Sequence, residues 1–384
     1  MSVPTAPVQR EPMIELGAPA LGEAEKDALA AVIDDRWLTM GDRVRAFERA
    51  FAELHGVDGA VAVGSATAAL QLILAAFDIG PGDEVLVPSM SFVATAAVVV
   101  RAGATPVLVD VEAADRPHMS LDDARRRITP QTRAIMVMHY GGYAVDLPAW
   151  RRLADEHGVP LFEDAAHVAG LAGVTAQSDA AAFSFFTNKN MTTAEGGMVV
   201  VRDEARRERV RLLRSHGMTT STLDRDRGRA VGYDVVECGF NFRMDELRGA
   251  LGLVQIERLP AWNRTRIELM ARYRSRLAAE IPEVGVPFDA HHPTSGHIMA
   301  VVLPEASDRA GIMASMRAAG VQTSVHYPAI HRFTYYRERF GDITLPHTEH
   351  FSSHELTLPL HPALSHADVD RVVVALNEAL RARR

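Results

Sequence analysis

Short apolar runs alternate with segments of helical periodicity over most of the first 245 residues, and this alternation constrains the fold more than any single motif. Ala60–Val63, Glu84–Val87, Pro106–Val109, Ala134–Met138, Leu161–Phe162, Ala180–Phe185 and Met198–Val201 read as buried strands. Between them, Val44, Phe47, Phe51 and Leu54 fall on one helical face. Further helices are expected from Ser65 to Gly80, over Ala94–Arg101, and after Ser120, which with Asp123 resembles a capping box, as far as Ile128. Continuous apolar strands joined by helices imply an α/β fold, with a mostly parallel sheet covered on both faces. The pattern changes near residue 245. Two helical stretches, Asp245–Leu259 and Asn263–Glu280, are expected on either side of Pro260. A smaller α+β region follows, with a strand at Ile298–Leu303, a helix about Ala310–Ala319 capped by Ser307 or Asp308, and a last helix Ala367–Arg383. The expected organisation is a flexible arm at 1–12, a large domain over 13–255 and a small domain over 256–384.

Several functions are disfavoured at once. The formal charge of −8 asks for no nucleic-acid backbone and no anionic membrane surface as partner. Apolar runs such as Leu72–Phe77 and Ile298–Leu303 are far too short to span a bilayer. The first residues carry no apolar signal-peptide core, and the single cysteine, Cys238, has no internal partner for a disulfide; a reducing cytoplasm is the expected compartment. Of the 41 basic residues, only Lys26 and Lys189 are lysines. The arginine excess fits coding bias in an Ala-rich chain, but its chemical consequence is sharp. Any step that needs a side-chain primary amine must use one of two residues. A Walker A loop and a kinase strand lysine are absent, as is G-x-G-x-x-G.

Lys189 lies in Phe183–Gly197, just after one apolar strand and just before another. Ligands bind at strand ends in open α/β sheets, and a desolvated lysine loses proton affinity and becomes nucleophilic. The bland alternative is a surface lysine in a loop. The small and apolar neighbours, in a chain nearly without lysine, weigh against it. Asp164 ends the run Val159–Asp164, where a carboxylate can pair with a cationic ring nitrogen or simply cap the next turn. His167 follows, either as a core histidine or as a site residue. Gly64-Ser65-Ala66-Thr67 puts small residues and hydroxyls at a helix start, a ready anion site although a common pattern. Amine, carboxylate and anion cradle together answer the aldehyde, pyridine nitrogen and phosphate of pyridoxal 5'-phosphate. His347, His350 and His354 are loosely spaced for a metal, but Pro346 breaks the frame and no third strong ligand is near, so no metal is expected.

With these elements assembled, the chain resembles the DegT/DnrJ/EryC1/StrS family of sugar aminotransferases, which have the aspartate-aminotransferase-like fold type I. The resemblance runs from about Ile14 to the end. It rests on Trp37–Gly41, Gly64–Leu70, Pro88–Thr95, Glu163–His167, Phe183-Ser-Phe with Lys189-Asn, and Gly239–Arg243. It implies that Lys189 is the Schiff-base lysine and that Asp164 pairs with the pyridinium nitrogen. Ser65, Ala66, Thr67 and Ser184 would hold the phosphate, Phe92 would stack on the ring, and His167 would lie against the ring or its hydroxyl. Asn241 would reach the phosphate of a neighbouring subunit, making a homodimer with shared sites. Ala66 stands where Gly is commoner, and His167 where many members have Gln. A branch that replaces the lysine with histidine dehydrates sugars; Lys189 argues against it.

The implied reaction moves an amino group from glutamate or glutamine to a nucleotide-linked keto-sugar, with pyridoxamine 5'-phosphate as the intermediate cofactor form. C4 of a 4-keto-6-deoxyhexose is the expected position, and C3 is not resolved from it. A ketocyclitol or aminoshikimate-type aminotransferase shares every residue named, and a non-catalytic cofactor-binding regulator is the alternative from another class. Arg225, Arg227 and Arg229 read either as a salt-bridged loop with Asp224 and Asp226 or as contacts to a substrate diphosphate. His326 and Tyr327 match a family segment near the substrate entrance.

Overall fold

A computed structural model describes residues 12–383, so the expected arm at 1–12 lies, except for Pro12, outside the described residues. Seven strands form the central sheet: β1 (Ala60–Val63), β2 (Glu84–Pro88), β3 (Thr105–Val109), β4 (Thr132–Met138), β5 (Leu161–Asp164), β6 (Ala180–Ser184) and β7 (Gly197–Val201). Their spatial order is β1-β7-β6-β5-β4-β2-β3. All run in one direction except β7, which is antiparallel to both its neighbours. The C-terminal ends of the parallel strands and the start of β7 therefore share one edge, and the functional residues collect there.

The strands read as continuous apolar runs because both faces are covered. Alternate residues serve opposite faces, as the two-residue period of a strand requires. Val61, Val63, Phe162, Ala182 and Val199 pack with α3 (Ala66–Ala76) on one face. Ala60, Ala62, Ala181, Phe183 and Met198 pack on the other with Phe47 and Phe51 of α2 (Asp42–His55).

The break expected at Pro260 does not occur: a single helix runs Glu246–Glu280 through it. A proline in a helix interior costs about 3 kcal/mol, so tertiary contacts must hold the helix together. Glycines let it approach α2 closely. A Cβ at Gly249 would lie 2.8 Å from Val44 N, and one at Gly252 would lie 2.8 Å from the Phe47 ring. The buried Glu246 carboxylate accepts the Gly41, Val44 and Arg43 N–H groups at 2.9, 2.9 and 3.0 Å, capping the start of α2. Gln255 and Arg258 bond Glu25 of the helix Glu23–Asp35 at 3.0 and 2.9 Å.

The position expected as a domain boundary, 255/256, falls inside this long helix. Its second half, from Leu269, packs into a separate core with Met299, Val301, Leu356, Leu358 and Val372. In that C-terminal lobe the strands Met299–Val302 and Glu355–Leu358 pair antiparallel. Asp308 caps the helix Arg309–Ala318, and Ser365 with Asp368 forms a capping box for His366–Arg381. Among the described residues no helix is long and apolar enough to cross a membrane.

Candidate active site

Ser65, Ala66, Thr67, Phe92, Asp164, His167, Ser184, Lys189, His326 and Tyr327 line one cavity of about 400 Å³ at the C-terminal edge of the sheet. A larger, more open groove of about 750 Å³ lies elsewhere, beside Arg45, Glu48 and Asp224. It is the smaller cavity that joins an amine to a buried carboxylate.

One end of the cavity is built for an anion. Ser65 caps α3, its hydroxyl accepting Ala68 N–H at 3.1 Å. The first N–H groups of a helix have no intrahelical acceptor, and the dipole adds positive potential there. Gly197, at the start of β7, backs directly onto this turn: a Cβ would lie 2.6 Å from the Ser65 carbonyl carbon and 2.7 Å from Ala66 N. Only glycine lets the strand and the helix start approach so closely. Ser184, at the end of the adjacent β6, lines the same space.

At the other end Asp164 is buried. Its carboxylate accepts Thr95 Oγ1–H at 2.7 Å and Ala166 N–H at 3.2 Å. Burial pushes its pKa up, while these bonds and the nearby Lys189 act against the rise. Thr95 is itself bonded to Ser91 Oγ at 2.6 Å. Lys189 sits in the turn between β6 and β7, its N–H bonded to Phe186 O at 2.9 Å. It keeps some exposure through the cavity mouth. Burial nevertheless pulls the amine down to about 8, only partly opposed by the Asp164 charge.

His167 Nε2 lies 2.9 Å from Tyr327 Oη, and burial keeps the imidazole neutral. Its Nδ1 is buried without a partner, a state that costs about 1–3 kcal/mol unless a polar group meets it. Burial likewise holds the Tyr327 phenol protonated. Phe92 is 54 % exposed, with its ring 5.9 Å from that of Tyr327. His326 is anchored below, its N–H donating to Glu355 and its Nδ1 lying 2.8 Å from Thr357 Oγ1. Anion cradle, buried carboxylate and amine, with His167 beside them, answer the phosphate, ring nitrogen and aldehyde of pyridoxal 5'-phosphate, and these residues fit it.

Other predicted residues are not brought to this cavity. Asn241 is exposed and bridges Ser215 through its backbone. Arg225 donates to Thr220 O at 2.9 Å and lies over the Tyr233 ring; Arg227 pairs with Asp42 at 2.7 Å; Arg229 is 3.9 Å from Asp224. The His350 and His354 rings lie 4.6 Å apart, tilted by 36°. Sequence reasoning gave no role to Thr95, Asn190 or His297, all of which the fold brings to the site. For Thr95 a signal existed, since its hydroxyl falls one helical turn after Ser91.

An amine, a carboxylate and an anion cradle converging at the strand ends of this sheet define a cofactor-dependent transferase of fold type I. The chain belongs to the DegT/DnrJ/EryC1/StrS aminotransferase family, whose model matches residues 19–377. Among solved structures it is similar to Helicobacter pylori PseC, an aminotransferase involved in the biosynthesis of pseudoaminic acid. The TM-score is 0.90 at 28% identity, over 96% of this chain and 100% of that one. The putative sugar aminotransferase Spr1654 from Streptococcus pneumoniae matches in its PLP form with TM-score 0.90 and 28% identity, over 97% of this chain and 100% of that one. Its PMP form matches with TM-score 0.91 and 29% identity over the same shares. DesI, solved in the presence of its TDP-sugar product, gives TM-score 0.86 at 32% identity, over 97% of this chain and 94% of that one. The activity is that of a PLP-dependent aminotransferase, and pyridoxal and pyridoxamine phosphate are its cofactor forms.

Proposed function

We propose that this enzyme transfers an amino group from glutamate or glutamine to a nucleotide-linked keto-sugar, at C4 of an NDP-4-keto-6-deoxyhexose. The observation that carries the reading is the meeting of Lys189, Asp164 and the Ser65–Thr67 helix start in one cavity. The substrate class rests on the sugar-linked descriptions of Spr1654 and DesI.

Pyridoxal phosphate, when bound, supplies an aldehyde carbon and an electron-withdrawing ring. The backbone at Ser65–Thr67, with Ser184, holds the phosphate by directed N–H and O–H groups. Asp164, oriented by Thr95, keeps its charge beside the ring nitrogen. His167 would lie against the ring or its hydroxyl, and Phe92 would cover a ring face. Lys189 binds the aldehyde in the resting enzyme. As a free amine, its Nζ would move the donor's α-proton to the cofactor carbon, and with the keto-sugar would move a proton from that carbon to the sugar carbon that receives the amine.

His326 and Tyr327 flank the substrate entrance. The exposed Asn241 serves the phosphate of a second copy in a homodimer, and one or more of Arg225, Arg227 and Arg229, none of which lines its own cavity, meets the substrate diphosphate. The exposed, unpaired Cys238 suits a reducing cytoplasm.

Presenting the pyridoxamine form with a panel of NDP-keto-sugars and keto-cyclitols tests the reading. Fastest turnover with an NDP-4-keto-6-deoxyhexose is expected. Preference for a keto-cyclitol would reassign the substrate, and a cofactor that neither glutamate nor glutamine converts would sink the proposed donor reaction.

A further inference from the structure

The residue after the proposed reactive lysine, Asn190, is 3 % exposed, and its amide is engaged on both sides. Nδ2 donates to Asn263 Oδ1 at 2.8 Å and to Ser295 O at 2.9 Å, and Oδ1 lies 2.9 Å from His297 Nδ1. The orientation is forced by chemistry. Ser295 O is a carbonyl and can only accept, so the amide nitrogen must face it and the amide oxygen must face His297. His297, held neutral by burial, is thereby fixed with its proton on Nδ1. Asn263 is oriented in the same way, because its Nδ2 donates to Ala169 O at 2.9 Å.

The bonds extend from this amide to the rest of the site. Ser295 Oγ donates to His167 O at 2.6 Å, and the His297 ring packs 4.2 Å from that of His167. Asn190 thus ties the lysine turn to the long helix, to the segment leading into the C-terminal lobe, and to the His167 turn. On the other side of Lys189 there is no such anchor in the burial pattern: Phe186, Thr187 and Asn188 are exposed, whereas residues 190–193 are buried. A lysine carries its amine on a flexible four-carbon stem, and a fully satisfied buried network is what makes a local backbone rigid.

We infer that Asn190 is a positioning residue, whose knot of hydrogen bonds holds the Lys189 amine inside the cavity beside Asp164 and away from bulk water. The inference rests on Lys189 being the reactive amine, as proposed above. Thr192 N–H keeps its own bond to Gln255 at 3.2 Å, so part of the turn stays anchored when Asn190 is replaced.

Two lysines make the test direct. Protein carrying ¹³Cε-lysine gives two lysine signals, with the exposed Lys26 as internal reference. Loading with pyridoxamine 5'-phosphate leaves Lys189 a free amine. The titratable groups around it stay in place in every variant: the Asp164 carboxyl, the Tyr327 phenol, and the imidazoles of His167, His297 and His326, which burial keeps neutral. In the wild type Lys189 should titrate clearly below the ordinary lysine value, because burial disfavours its ammonium. In Asn190→Ala, and in Asn190→Leu, which loses both donors and the acceptor without adding a charge, the midpoint should rise toward the ordinary lysine value of about 10.4. Lys26 should not move, and kcat should fall by about 10²-fold.

A purely structural role would lower the melting temperature and leave the Lys189 titration where it was; that result in folded variants overturns the inference. If Asn190→Ala does not fold, Asn263→Ala removes one link of the knot and carries the same comparison. Failure of the underlying reading is seen separately, as borohydride fixing the cofactor at a residue other than Lys189.

Discussion

An ordinary lysine holds its proton until about pH 10.4, whereas Lys189 lets go near 8 because burial takes more from the ammonium than the Asp164 carboxylate gives back. The sign of each contribution makes a prediction. Capture of pyridoxal phosphate by the apoenzyme, followed by absorbance, should speed up as pH rises and level off above about 8. Asp164→Asn removes the charge that favours the ammonium, so its profile should shift to lower pH; an unchanged or higher midpoint would contradict the arrangement. The same variant should retain cofactor but lose turnover by at least about 10²-fold. Borohydride reduction of the holoenzyme should fix the cofactor to the peptide containing Lys189. Lys189→Arg should abolish that fixation and lower kcat by about 10³-fold or more. Cofactor found on the Lys26 peptide would overturn the assignment. Lys189 was legible in the sequence because the chain has only one other lysine. Thr95, Asn190 and His297 were not, because hydroxyls, amides and imidazoles recur throughout the chain and only their partners mark these three.

Among the elements, the helix Glu246–Glu280 departs most from what its local sequence implies. Pro260 lacks the N–H that would bond Ile256 O, and periodicity alone reads it as a break. Gly249 and Gly252, the Glu246 cap and the Glu25 contacts hold the helix together on either side of it. Pro260→Ala should therefore stabilise the protein. Restoring a helix-interior residue is worth about 3 kcal/mol, set against about 0.4–1 kcal/mol from the freer unfolded chain, so a net gain of about 2 kcal/mol is expected. A urea midpoint that falls instead would mean that the neighbouring packing has come to depend on the proline ring. The strands behave in the opposite way. Ala60–Val63 matches its expected bounds because every one of its residues is buried and the apolar run is the whole strand.

At the scale of the whole molecule, Asn241 is exposed and outside its own cavity, which frames the prediction for assembly. Lys189→Ala and Asn241→Ala protomers, mixed and reassembled, should form hybrids in which one site holds both intact residues. Those hybrids should recover up to about half of wild-type activity per dimer, since one site of each pair is whole. Hybrids shown to form but without recovery would assign Asn241 to its own subunit. The two lobes meet at the same edge: Ser295, His297, His326 and Tyr327, all after residue 290, reach back to Tyr140, His167 and Asn190 in the loops that follow strands of the large sheet.

The sequence by itself determined the sheet class, the strand positions of the central sheet, the helix cap at Ser120, the choice of Ser307 or Asp308 for another, and the identity of the one amine with apolar surroundings. Each of these follows from spacing within a few residues or from a count over the chain. Tertiary structure alone decided which strands are neighbours, that β7 runs antiparallel so that Gly197 backs onto Ser65, and that Asn190 meets both Asn263 and His297. Periodicity tells which face of an element is buried but not which element buries it. Contacts between residues 73 to 132 positions apart depend on strand order and helix packing, which no local pattern encodes.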